Sequence, residues 1–309
     1  MGGGNMWMGR IGVIAGLMVL SVTAGAAGWA GEAHALPETV ADGATPKEMY
    51  AAQRWFEGPS WDPGTKKFYF SSYTKDNQQL LRLDDIDKVT VWMDHTQDIN
   101  GTCVTKAGRM LCAQTNTHSV LSAKVGASGP EDVKVLYHDE GLNQPNDVRE
   151  GPTGNVYFSD PDFATKKKSG VYLIRPDGKT SKIISDMSVP NGLIVTLDGK
   201  TLIVSDSADK IWRAYPIKED GTVGEGRLFF EPKTADTRDP DGMALDEKGN
   251  LYCTGRGGVW VVSPEGKELG LIPFTELTSN CTFGGEDGKT LFITGGNKVW
   301  TLAMKVKGR

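Results

Sequence analysis

The sequence predicts an all-β protein, a six-bladed β-propeller, and three observations carry that expectation. Six stretches with one grammar follow one another at intervals of roughly 40 to 50 residues, the period of propeller blades. Between them run three to four short strand-like segments rich in Val, Ile, Tyr and Phe, with no helical periodicity. The 39 glycines recur along the chain instead of clustering, as turn-rich β structure requires.

The stretches are FEGPSWDPGTKKFYFSS at Glu57, INGTCVTKAGRMLCAQ at Asn100, PNDVREGPTGNVYFSD at Asn146, PNGLIVTLDGKTLIVSD at Asn191, PDGMALDEKGNLYCTG at Asp241 and SNCTFGGEDGKTLFITG at Asn280. Each opens on a polar side chain, mostly followed by Gly, and runs into a short apolar strand. A Gly-bearing turn such as DGK, KGN or TGN then reverses the chain into a second strand. A third strand follows in several copies, as in GVYLIRP, KIWRAYPI and GVWVVSP. Residues 45–309 are therefore expected to form one propeller domain. Tyr69, Tyr157, Tyr172, Trp212, Trp260 and Trp300 fall on strand patterns and are expected in the core.

Ahead of that domain, Arg10 is followed by a run without charge from Ile11 to Ala30. The small-x-small triplets Ala24–Ala26 and Ala33–Ala35 offer cleavage sites. We read residues 1–35 as a signal peptide, with an uncleaved anchor as the alternative, and expect the folded part outside the cytoplasm, in the periplasm or secreted. A formal net charge of −5 gives nucleic-acid binding no electrostatic support. No other segment is apolar enough to span a bilayer, so no stable membrane insertion is expected once the leader is cut.

Cys103, Cys112, Cys253 and Cys281 contain no Cys-x-x-Cys pair, which argues against a thiolate zinc site. Cys103 and Cys112 flank the turn Lys106–Arg109 and are expected as cross-strand neighbours, with either a disulfide or free thiols open. His95, His118 and His138 lie in no motif, and no Gly-x-Ser-x-Gly elbow is present. Gly255–Gly258 reads as a tight turn, and Lys166–Lys168 as a solvated loop.

In a propeller the innermost strand of each blade lines the central channel, so the six opening residues are expected to converge at its mouth. Buried carboxylates and amides brought together need compensation. Glu57, Asn146, Asn191 and Asp241 offer oxygens only, which suits Ca²⁺ first, with Mg²⁺, Mn²⁺ or Zn²⁺ behind it. Taken singly, each Asn-Gly or Asp-Gly reads more readily as a turn or cap than as a ligand; the shared register favours the metal.

Over about Arg54 to Met304 the chain resembles the SMP-30/gluconolactonase/regucalcin-like family of six-bladed propellers. EGPSWD at Glu57, NQPNDV at Asn146, PNGLIVTLDGKTLIVSDS at Asn191, PDGMALDEKGNLY at Asp241 and NCTFGG at Asn280 carry the resemblance. It implies one divalent cation held by Glu57, Asn146, Asn191 and Asp241, and hydrolysis of a small lactone or ester, with Asp241 as both ligand and base. Two positions depart from the family's habit: Gln144, before Asn146, and Gln114, in AQTNTH. With Asn100, these two are candidates for hydrogen bonds to substrate. The competing expectations are a non-catalytic propeller that binds protein or carbohydrate, and organophosphate or aryl-ester hydrolysis at the same cation.

Overall fold

Short β-branched and aromatic runs between glycine turns bury their side chains only when sheets pack face to face. In the computed structural model, which describes residues 34–309, they form six antiparallel four-stranded sheets, and the described residues contain no helix. Most of the expected leader lies outside the described residues. Of its last two residues, Ala35 accepts the Leu271 N–H at 3.0 Å, and the His34 ring meets Trp260 edge-on at 4.5 Å. No described helix is long and apolar enough to cross a membrane.

The first strand of each sheet touches the first strand of the next, and the six close into a ring. Blades 1 to 6 contribute Trp55–Asp62, Ile99–Val104, Val148–Glu150, Pro190–Val195, Met243–Leu245 and Asn280–Gly284 to this inner layer. Blade 6 takes its outermost strand, Lys47–Ala51, from the other end of the chain, paired antiparallel with Lys298–Ala303. The fold is the six-bladed propeller that the repeat implies.

The core lies between blades. Phe56, Phe68 and Phe70 of blade 1 pack on Phe292 and Val299 of blade 6, and Tyr69, Leu80 and Trp92 pack on Met110, Cys112 and Leu121 of blade 2. The same arrangement recurs at the other four junctions. Tyr69, Tyr157, Trp212, Trp260 and Trp300 are buried as expected, and Tyr172 is half-buried against Phe158. Gly255 pairs with Gly258 across a two-residue turn in which Arg256 and Gly257 both have positive φ, the left-handed geometry of a tight hairpin. Lys166–Lys168 are exposed.

Cys103 and Cys112 do lie on adjacent strands, but one residue out of register: Cys103 faces Leu111 and Cys112 faces Thr102. A one-residue offset sends two side chains to opposite faces of a sheet. Cys112 therefore packs toward blade 1 and Cys103 toward blade 3, and both are free thiols.

The inner strands approach one another too closely for side chains. A methyl group at Gly101 would lie 2.5 Å from the Asn146 carbonyl oxygen, and one at Gly192 would lie 2.3 Å from that of Asp241. At Gly242 it would lie inside the Asn280 amide. This contact accounts for the glycine that follows most of the opening polar residues. Gly192→Ala should lower stability by about 1–3 kcal/mol through overpacking. Gly64→Ala, whose methyl meets nothing nearer than 3.4 Å, should change it by less than about 1 kcal/mol. Urea unfolding midpoints of the two variants test this, and equal effects would refute the close-approach account.

Candidate functional site

A bulge aims the opening side chains. In blades 1, 2 and 4 the inner strand carries one residue more than its partner between Glu57 and Ser60, Ile99 and Thr102, and Pro190 and Leu193. In blade 3 both Asn146 and Asp147 bond Ser159, and in blade 5 Asp241 and Gly242 both bond Thr254. The extra residue turns two consecutive side chains in different directions. Asn146 faces the channel mouth and Asp147 goes into the axis.

The result is a cavity of about 490 Å³ lined by Glu57, Asn100, Gln144, Asn146, Asn191 and Asp241, together with Trp55, Tyr73, Asp98, Phe163 and Arg238. Asn280 is buried and does not line it; its Oδ1 accepts the Cys281 N–H at 2.9 Å, and Leu277 lines the cavity from that side. A larger cavity, about 610 Å³, is lined by later residues of the same inner strands, among them Ser60, Thr102, Arg149 and Ala244. The smaller cavity is the candidate site, because Glu57, Asp98 and Asp241 all line it.

Gln114 is a correction. It lies outside the cavity lining: its Nε2 donates to the Thr96 carbonyl at 2.7 Å, and its Oε1 accepts the Thr117 hydroxyl. Gln114 closes the second strand of blade 2, Arg109–Gln114, as Asp160 and Asp206 close Val156–Asp160 and Thr201–Asp206 in blades 3 and 4. Asp160 accepts the N–H groups of Asn143 and Gln144 at 2.7–3.0 Å. Asp206 accepts those of Ser188 and Val189 at 2.8 and 3.1 Å. All three latch the loop that leads into the opening polar residue of their own blade. Sequence reasoning missed Asp160 and Asp206, although FSD and VSD at the ends of equivalent strands were the signal. His95, His118 and His138 line neither cavity.

Electrostatics at the cavity floor are unbalanced. Burial pushes the Glu57 carboxyl up to about 7, against the Gly58 N–H bond that lowers it, and the Asp147 charge adds to the rise. Burial raises Asp241 well above the carboxylate range, with Glu57 and Asp147 the next contributions. Asp147 is raised by burial and partly relieved by Arg149, whose Nη1 lies 3.1 Å from it. Tyr73 is held protonated by burial and by the charges of Glu57, Asp98 and Asp241.

These residues fit a hard cation. The Asn191 Nδ2 donates to Ser207 Oγ at 3.0 Å, which leaves its Oδ1 buried without a partner. The Asn146 amide makes no side-chain hydrogen bond among the described residues. No three His, Cys, Asp or Glu side chains gather as a metal cluster among the described residues, so the candidate set is two carboxylates and two amides. Four oxygens from four blades suit Ca²⁺ or a similar ion.

Two outcomes follow. Burial lifts the Glu57 carboxyl from its ordinary 4.5 up to about 7 in the fold. The native state of chelator-treated protein therefore binds the extra proton, and stability fully present below pH 4.5 is lost as pH rises through about 7. Added Ca²⁺ should reverse that loss at the upper end; a melting temperature that does not fall with pH in chelator would refute it. Asp206→Asn, which touches no cavity atom, should weaken Ca²⁺ binding about 10–100-fold by releasing the Asn191 loop. Calorimetry showing unaltered affinity would make Asp206 a fold residue only.

Comparisons with known proteins place the chain in a family. Over 308 residues the chain is 29% identical to a gluconolactonase of Zymomonas mobilis, covering 88% of this chain and 85% of that one. The solved structure of a gluconolactonase from Xanthomonas campestris superposes with a TM-score of 0.72 at 25% identity, over 87% of this chain and 95% of that one. A calcium-binding regucalcin from Agrobacterium tumefaciens shares the fold, with a TM-score of 0.67 at 19% identity over 84% and 96% of the two chains. Residues 55–297 match the SMP-30/Gluconolactonase/LRE-like region, and the chain belongs to that family.

Proposed function

We propose that the chain is an exported, cation-dependent lactonase that opens sugar lactones or related cyclic esters in the cavity at the channel mouth. The observation that carries this is the unpartnered, buried Asn191 Oδ1, in a cavity with two acids that burial and neighbouring carboxylate charge hold above their ordinary range. The names of the gluconolactonases among its relatives support the lactone, and that of the regucalcin supports calcium. The uncharged run after Arg10 supports export.

Glu57, Asn146, Asn191 and Asp241 would hold the cation. When bound, it supplies a Lewis acid that polarises the lactone carbonyl and stabilises charge on its oxygen. Asp241 takes a proton from the water that adds to the carbonyl carbon. The ring C–O bond then breaks, and the proton passes to the leaving alkoxide, giving the hydroxy acid. Burial raises Asp241 in the cation-free protein; a bound dication would offset that rise, so its acidification of the water would share the work with Asp241. The Tyr73 phenol, kept protonated, donates to a substrate oxygen. Asn100 and Gln144, whose amides make no side-chain hydrogen bonds among the described residues, orient substrate hydroxyls.

A lactone panel run on chelator-treated and Ca²⁺-, Mg²⁺- or Mn²⁺-reconstituted protein tests the reading. Turnover should appear only with the cation, and turnover in chelator would overturn the dependence. Asp241→Asn should cost about 10²–10⁴-fold in rate for the lost base, and excess cation should recover only the part due to weakened binding. Wild-type turnover of Asp241→Asn at saturating cation would sink this mechanism.

A further inference from the structure

Resting on the lactonase reading, we propose that Asp98 is the specificity residue of the cavity: its carboxylate accepts a hydrogen bond from a neutral, hydroxyl-bearing substrate and excludes anionic lactones. Asp98 lines the cavity half-buried. Among the described residues its carboxylate has no ion pair or hydrogen bond; only its main-chain oxygen is used, accepting the Thr115 N–H at 2.9 Å. An acceptor held in a cavity without a protein donor is placed to meet a donor on the ligand.

The backbone shows that this placement is imposed. Asp98 has φ +64, and His95 and Gln97, just before it, have φ +50 and +53. Left-handed conformations cost L-residues free energy and persist only where the surroundings over-determine them. Here the segment is clamped on both sides. Gln114 bonds the Thr96 carbonyl, the Asn116 N–H bonds the Gln97 carbonyl at 3.2 Å, and the Thr96 N–H bonds Gln78 of blade 1 at 3.1 Å. The latch residue of blade 2 therefore holds Asp98 as well as Asn100.

Among the described residues that line the cavity, no cation is free to receive an anionic substrate. Arg238 lines the cavity, but its guanidinium is committed to Asp236 and to the carbonyls of Phe274, Thr275 and Glu276. Asp239 is paired with Lys210. A dication at Glu57 and Asp241 would offset those two acids and leave Asp98 as net negative charge facing the substrate. A phosphate or sulfonate on the lactone would meet that charge with no counter-ion, and like charges brought together in a cavity discriminate against the ligand.

The test compares glucono-δ-lactone, 6-phosphoglucono-δ-lactone and δ-valerolactone, the last bearing no hydroxyl, on Ca²⁺-loaded wild-type, Asp98→Asn and Asp98→Lys proteins. Asn tolerates the left-handed backbone, so Asp98→Asn changes charge with least strain. In wild type, kcat/KM should be at least about tenfold higher for gluconolactone than for its phosphate. Asp98→Asn should lower the gluconolactone-to-valerolactone ratio of kcat/KM about tenfold, carried mainly by KM. Asp98→Lys should raise the phosphate-to-neutral ratio by at least about tenfold. Ratios unchanged in both variants, or a wild type that prefers the phosphate, would overturn the proposal while leaving a lactonase. Calorimetry with gluconolactam separates the two readings. If no lactone turns over but the lactam binds and Asp98→Asn weakens it, the lactonase reading falls and the role of Asp98 stands. If the lactam does not bind either, both fall.

Discussion

The approach of the six inner strands to one another at the axis is the constraint on which the rest of the structure depends. Strands this close leave no room for Cβ atoms at Gly58, Gly101 and Gly192, so backbone meets backbone across blade boundaries. Small hydroxyls from the second strands then stitch the ring. Ser71 donates to the Asn100 carbonyl, Ser205 to that of Asp241 and Thr254 to that of Ser279. Ser279 donates to Phe56 and so joins blade 6 to blade 1. Buried main-chain polar groups must find partners, and here they find them on the neighbouring blade.

The same crowding sets the electrostatics of the channel mouth. Side chains that cannot pass sideways point along the axis, and acids from blades 1, 3 and 5 arrive within range of one another's charge. The protein relieves one of them itself. Asp147 takes the glycine position in blade 3 and pairs with Arg149, whose guanidinium also bonds the carbonyls of Thr102 and Val148 and reaches that of Met243. Glu57 and Asp241 receive no such basic partner among the described residues. A buried charge left unpaired is costly, and removing the mismatch is the natural role of a ligand.

Much of this was legible before the fold was known. Strand grammar and period give the six blades, because alternating burial and glycine turns leave few other ways to cover both faces of each sheet. Glu57, Asn100, Asn146, Asn191 and Asp241 were identified by register alone, and the structure brings them to one cavity. Asn280 and Gln114 were not legible. Whether an opening amide points up the channel or back onto its own strand depends on a bulge, and a bulge is a fact of pairing, not of composition. Gln114 looked free because its partner, the Thr96 carbonyl, is a backbone atom with no sequence signature. Asp98 went unnoticed for a related reason: its exposure to the cavity comes from left-handed backbone at residues other than glycine. The one-residue offset of Cys103 and Cys112 is likewise set by pairing register.

Blade 6 joins Lys47–Ala51 to three strands from the far end of the chain, and this has a kinetic consequence. The contact that shuts the ring spans nearly the whole described sequence, so it raises the contact order, which predicts slow folding. Until it forms, blades 1 and 5 are not fixed relative to each other, and Glu57 and Asp241 have no reason to meet. Closing the ring is what brings those two acids within range of each other, so the stability of the closed ring carries the cost of their repulsion.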